Sequence, residues 1–337
     1  MLFSGLLHHA LSPRFSANAP IPLAARGALF SILFLISWSL PSAAQTVTDI
    51  DGNTYPTVVI GGYEWMAENL RTGKYADGTV IQRRNAGSSW QLTDPDGGWD
   101  WYGSNSANEA LYGRLYEANA INQYRDVYLP LCPSGWQIPS NTAWQALADA
   151  LGGASTAGPA LKSTEGWSSG AGTNSSGFAA TAGGRRRSTG YLFWSDSGLG
   201  TNAYFWSSTN RNYWYLQSGS DALSHYNSSE YVSTGMSVRC VRVAIPPVLG
   251  STTMGGVTST TATVHSSVAD SGTSSVSVRG VVWGTSANPT LESNQGSTSD
   301  GAGTGGYSST LSGLSAGTRY YVRAYASSFA GTTYGEE

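Results

Sequence analysis

The sequence predicts an α+β domain with few helices and long loops, followed by an all-β sandwich module. Helix-period spacing is clear only at Asn141–Leu151, whereas short β-prone segments separated by turn residues recur along the rest. Composition also shifts near residue 244. Residues 45–243 hold 10 of the 12 Trp and both Cys, while residues 248–337 are rich in Ser, Thr, Gly and Val with a single Trp283. Between them stands Ala244-Ile245-Pro246-Pro247. Consecutive prolines restrict the backbone, so residues 244–247 are expected to be an extended linker.

Residues 1–44 read as a targeting segment. Arg14 and Arg26 precede an apolar run, Ala28 to Leu40, and Pro41-Ser42-Ala43-Ala44 ends it with small residues. Cleavage before Gln45 is expected, with an N-terminal membrane anchor as the alternative. No later apolar stretch is long enough to span a bilayer as a helix.

Within residues 45–243, Val47 to Ile60 reads as a hairpin turning at Asp51-Gly52-Asn53, followed by a strand at Tyr63–Met66. Asn141 to Leu151 is the clearest helix. Ser140 or Asn141 can cap it, and Trp144, Leu147, Ala148 and Leu151 share one face. A shorter helix is expected over Tyr116–Gln123 and a loop over Ala154–Gly177. Short strands are expected at Tyr191–Phe193, Ala203–Ser207, Tyr213–Leu216 and Ser237–Val243. In residues 248–337, strands are expected at Thr260–Ser267, Val276–Trp283, Tyr307–Leu311 and Arg319–Ala326. Tyr320, just after a turn, suits the tyrosine corner of a sandwich. A last strand is starting at Thr333, so the module is expected to be truncated.

Only 12% of the 337 residues are charged and the net charge is −3. No basic field exists to attract phosphates, which argues against a nucleic-acid partner. Two cysteines, Cys132 and Cys240, in an exported chain suggest one disulfide. Closing so long a loop is worth roughly 4–5 kcal/mol.

Six strings carry a family resemblance. They are Asp49-Ile50-Asp51-Gly52-Asn53-Thr54-Tyr55, Gly62-Tyr63-Glu64-Trp65-Met66-Ala67-Glu68-Asn69-Leu70, Tyr112-Gly113-Arg114-Leu115-Tyr116, Leu131-Cys132-Pro133-Ser134-Gly135-Trp136-Gln137-Ile138-Pro139, Phe205-Trp206-Ser207-Ser208-Thr209 and Ser237-Val238-Arg239-Cys240-Val241-Arg242. In this order they resemble the Fibrobacter succinogenes major paralogous domain of exported bacterial proteins. The resemblance implies a C-type-lectin-like fold for residues 45–243, export and surface display, and a structural Cys132–Cys240 bridge. Residues 248–337 resemble a fibronectin type III or similar immunoglobulin-like module.

Catalysis is not expected. A formylglycine-generating enzyme, which shares the implied fold, would need free thiolates at Cys132 and Cys240 to hold copper. A Ser-His-Asp triad needs a positioned His. His8 and His9 fall in the targeting segment, His265 in the sandwich module, and His225 is in no motif. Asp94, Asp96 and Asp100 could offer oxygens to Ca²⁺, but the spacing is not an EF-hand and a solvated turn is the simpler expectation. Arg185-Arg186-Arg187 reads as a solvated loop, with a sulfated or carboxylated ligand as the alternative. No metal and no cofactor are expected.

The stretch Tyr204–Tyr231 is the richest in Tyr, Trp and Asn. Such residues give rigid contact area and adaptable hydrogen bonds, and they suit sugar faces. Trp206 and Trp214 are expected inside, and Asn210, Arg211, Asn212, Tyr213, Tyr226 and Asn227 on a ligand face. The expected protein is therefore a non-catalytic binder of a carbohydrate or protein ligand, extracellular or at the cell surface. A structural or adhesion component of the cell envelope is the alternative.

Overall fold

A computed structural model describes residues 45–84, 97–121, 129–187, 197–209, 212–227 and 234–337. The targeting segment, Asp94, Asp96, the Tyr191–Phe193 strand and Tyr231 lie outside the described residues.

Strands and bridges make up 41% of the described residues and helical turns 9%. This corrects the α+β, C-type-lectin-like expectation for residues 45–243: the protein is mostly β. The one helix longer than a turn among the described residues is Asn141–Ala150. It starts where expected because the Ser140 hydroxyl accepts the Ala143 N–H at 3.2 Å, satisfying one orphan donor. The expected helix at Tyr116–Gln123 is instead a strand, Leu115–Glu117, and a turn through Ile121, with residues 122 and 123 outside the described residues. Leu115, Tyr116 and Glu117 are all buried, because the strand lies inside a sheet between Thr234–Met236 and Gly98–Asp100. Sheet neighbours on both sides override the local helical preference.

The hairpin forms as the sequence predicts. Thr46–Thr48 pairs antiparallel with Thr54–Ile60, which pairs with Tyr63–Met66. The fourth strand of this sheet is Val241–Val243, antiparallel to Tyr63–Met66. Gly61, in the turn between the second and third strands, has φ +62° and lies against the helix, where a Cβ would stand 2.4 Å from the Ala146 carbonyl oxygen. Only glycine fits this close approach. The Trp65 ring then packs on Trp144 of the helix at 4.9 Å and on Phe178 at 5.7 Å.

The second sheet has nine strands. Its order is Leu223–Asn227, Asn212–Gln217, Asn202–Trp206, Gly183–Arg187, Thr234–Met236, Leu115–Glu117, Gly98–Asp100 and Gln82–Arg83, with Ser197–Leu199 paired to Gly183–Arg187. Arg185 and Arg186 therefore stand on a strand rather than on a solvated loop. Arg186 is fully buried and ion-paired to the equally buried Asp100, which Arg83 also contacts at 3.0 Å. Both oxygens of Asp100 are thus engaged by arginines.

Residues after Pro247 form two four-stranded sheets. In one, Thr261–Asp270 pairs with Val248–Leu249, Thr253–Val257 and Gly305–Ser312. In the other the order is Gly296–Ser297, Val276–Gly284, Tyr321–Ser328, Gly331–Tyr334. Ala262, Val264 and Leu311 of the first meet Val281 and Trp283 of the second in one core, so the module is a β-sandwich. The Tyr320 hydroxyl accepts the Ser315 N–H at 3.1 Å, the local contact expected of a tyrosine corner. Ala244 N–H donates to Gly62 O and Thr273 N–H to Ile245 O, both at 2.9 Å, which holds the connecting residues in place.

Candidate functional site

The outer end of the nine-stranded sheet is a three-strand meander. Asn212–Gln217 lies between Asn202–Trp206 and Leu223–Asn227, with Tyr213 opposite both Trp206 and Tyr226. Side chains alternate between faces with period two. Ala203, Phe205, Trp214, Leu216 and Leu223 pack in one cluster with Trp144 of the helix. Trp206 and Trp214 are buried, at 1% and 4% exposure.

The opposite face carries a ladder of tyrosines. Ring centroids are 5.6 Å apart for Tyr213 and Tyr226, 6.0 Å for Tyr204 and Tyr213, and 5.9 Å for Tyr204 and Tyr215. The Arg185 guanidinium sits 4.6 Å above the Tyr204 ring, within cation–π range. Tyr204 and Tyr213 are buried, and Tyr226 at the sheet edge is 46% exposed. The buried rings thus hold an exposed one in a fixed pose, since each aromatic neighbour removes rotamer freedom.

On the helix side the same edge strand presents an amide–imidazole cluster. Trp214 Nε1–H donates to Asn141 Oδ1 at 3.0 Å, which fixes the orientation of that amide. Asn141 Nδ2 then donates to Asn212 Oδ1 at 3.0 Å. His225 Nε2 contacts the same Asn212 oxygen and lies 3.4 Å from Asn141 Nδ2, so the imidazole joins this amide pair. The imidazole lies 5.0 Å from the Trp214 ring. His225 and Asn227 are exposed.

These positions redistribute the residues expected on the face. Tyr226 and Asn227 are on the surface. Asn212 and Tyr213 are buried, at 3% and 4% exposure, so they support the face rather than form it. Asn210 and Arg211 lie outside the described residues. Sequence reasoning missed His225, Asn141 and the Leu223–Asn227 strand itself. Its signal was present: Leu223-Ser224-His225-Tyr226-Asn227 faces Asn212–Leu216 across a short turn rich in Ser and Gly.

Among the described residues no cluster of three His, Cys, Asp or Glu side chains could hold a metal. Cys132 and Cys240 are joined to each other, and no cysteine is free.

The strings that carry the resemblance meet in space. Met66 N–H donates to Cys240 O at 3.0 Å and Leu70 N–H to Val238 O at 2.9 Å. Arg239 Nε donates to Asn69 Oδ1 at 2.7 Å, and Arg242 pairs with Glu64 at 2.6 Å. The family model for the Fibrobacter succinogenes major domain matches residues 58–242. The chain belongs to this family. In this Fibrobacter succinogenes major domain, the shared strings hold the first sheet together and seat the disulfide; the Tyr226 face stands apart from most of them. No curated protein matches the chain. A solved structure of domains A168-A170 from titin is similar over 45% of this chain at 13% identity with a TM-score of 0.21. The chain spans about half of that structure's length, 51%, and the likeness is too low to bear on the fold.

Proposed function

We propose that this protein is an exported, non-catalytic binding protein whose ligand face is the edge strand Leu223–Asn227. The observation that carries the reading is the pose of Tyr226: a half-exposed ring tilted against buried Tyr213, with the exposed His225 and Asn227 on the other face of the same edge strand. A rigid aromatic plane at an exposed strand edge, with polar side chains along that edge, suits a sugar ring or a protein side chain. Export and surface exposure are supported by the apolar Ala28–Leu40 segment and by the disulfide. The sandwich module acts as a spacer, and its tyrosine corner supports a fibronectin type III-like assignment.

The test is binding of residues 45–337 to arrays of plant, bacterial and host glycans, with and without calcium. Saturable binding that is lost in Tyr226→Ala and Asn227→Ala supports the reading. Binding that survives both substitutions removes the face from consideration. Absence of any glycan ligand moves the weight to a protein ligand, sought by pull-down from the cell surface.

A second reading, an adhesion or structural component of the envelope, is favoured by the exposed Met254 and Val257 on the strand Thr253–Val257, at 55% and 67% exposure. Concentration-dependent self-association lost in Met254→Lys would support it.

A further inference from the structure

Beside the junction of the first sheet's strings, the surface opens into a cleft of about 250 Å³ lined in part by Glu68, Arg71, Glu165, Asn174 and Arg239. Four of these side chains are charged, and two cancel: Glu68 and Arg71 form an ion pair. Arg239 and Glu165 remain.

Arg239 is 1% exposed. Its Nε donates to Asn69 Oδ1, its Nη1 to the carbonyls of Met66 and Phe178, and its Nη2 to the carbonyl of Ala179. A guanidinium has five N–H donors, so one Nη2 hydrogen is not used among the described residues. Every partner is neutral. Among the described residues no carboxylate lies within ion-pair distance of Arg239. Burying a cation against dipoles alone is costly, and a negative group reaching it would recover part of that cost. Burial also pushes its pKa down, to about 9, which leaves it charged at neutral pH.

Glu165, by contrast, is exposed on the rim and makes no ion pair among the described residues. Among the described residues the cleft therefore holds a cation with no salt bridge, whose charge meets the more distant Glu68 and the Phe178 ring at 4.4 Å, and an anion with no salt bridge, and the two do not pair with each other. A simple anion would meet the rim carboxylate, and a simple cation would meet the guanidinium. The volume is below the ~300–1,000 Å³ typical of sites for drug-sized ligands.

We propose that this cleft binds a small zwitterion of the free α-amino acid class, its carboxylate toward Arg239 and its ammonium toward Glu165. Of the polar side chains on the lining, Thr164 and Asn174 add donors for the carboxylate oxygens, while the Ser163 and Thr181 hydroxyls already donate to the carbonyls of Glu165 and Leu111. The site is separate from the Tyr226 face and does not depend on it.

The test is calorimetric titration of residues 45–337 with a panel of free amino acids, and with acetate and methylammonium as the two half-ligands. Saturable binding of at least one amino acid, with neither half-ligand binding, is expected. Glu165→Gln should weaken it by about tenfold or more, equivalent to about 1.4 kcal/mol, with an unchanged melting temperature because Glu165 is exposed. Arg239→Lys should abolish binding, but it can also unfold the domain, so the rim variant decides. No amino acid binding at millimolar concentration, equal binding of acetate, or full binding by Glu165→Gln overturns the proposal.

Discussion

Arg239 donates its Nε hydrogen to Oδ1 of Asn69 at 2.7 Å across a sequence separation of 170 residues. The same Asn69 donates its Nδ2 hydrogens to Tyr112 O at 2.9 Å and Ser237 Oγ at 3.2 Å. One amide therefore ties three distant segments of the chain. Asn69→Ala should leave a buried guanidinium donor, a carbonyl and a hydroxyl without their partner. A loss of about 2–4 kcal/mol is expected, measured by urea unfolding. A loss below about 0.5 kcal/mol would mean that solvent replaces the amide.

The Cys132–Cys240 bridge closes a loop of sequence separation 108. Chain-entropy arithmetic assigns it roughly 4–5 kcal/mol. Unfolding with and without reductant should differ by an amount of that order, and the Cys132→Ala/Cys240→Ala variant should match the reduced protein. Identical midpoints in the two conditions would contradict this.

Glu117 is 4% exposed beside the Arg186–Asp100 pair, and burial pushes its pKa up to about 7. The folded state therefore holds this proton more tightly than the unfolded chain does. The stability it contributes is full below the unfolded value near 4.5 and is lost as pH rises through about 7. Glu117→Gln should stabilise the protein at pH 8 by up to about 3 kcal/mol, and the gain should vanish near pH 4. A gain independent of pH would show that the carboxyl does not titrate in this window.

Tyr213 and Tyr226 divide support from display. Tyr213→Ala should cost about 3 kcal/mol of stability through the cavity it leaves. Tyr226→Ala should change stability by about 0.5 kcal/mol or less while removing ligand binding. Thermal melts of both variants alongside the glycan array separate the two roles.

How much of this was legible in the sequence depended on how local the cause was. The Ser140-capped helix, the hairpin at Asp51-Gly52-Asn53 and the strands around Trp283 and Tyr325 each follow from spacing within a dozen residues. Leu115–Glu117 was misread because its strand character comes from neighbours at Gly98–Asp100 and Thr234–Met236, far along the chain. Asn212 and Tyr213 were placed on the face because composition cannot tell which side of a strand packs; the contacts of Asn141 and His225 decide it. The arginines at 185 and 186 were read as solvated for the same reason: the burial of Arg186 depends on Asp100.

The pairing of Val241–Val243 with Tyr63–Met66 has a biosynthetic consequence. The ribosome delivers Trp65 long before Val241, its partner in the sheet, and Arg239 and Cys240 arrive with that late strand. A nascent chain or a premature-stop product ending before residue 239 lacks the closing strand, the carbonyl clamp and the second sulfur together. Such a product can close neither the first sheet nor the Cys132–Cys240 bridge, so both wait on the last strand of that sheet to be translated.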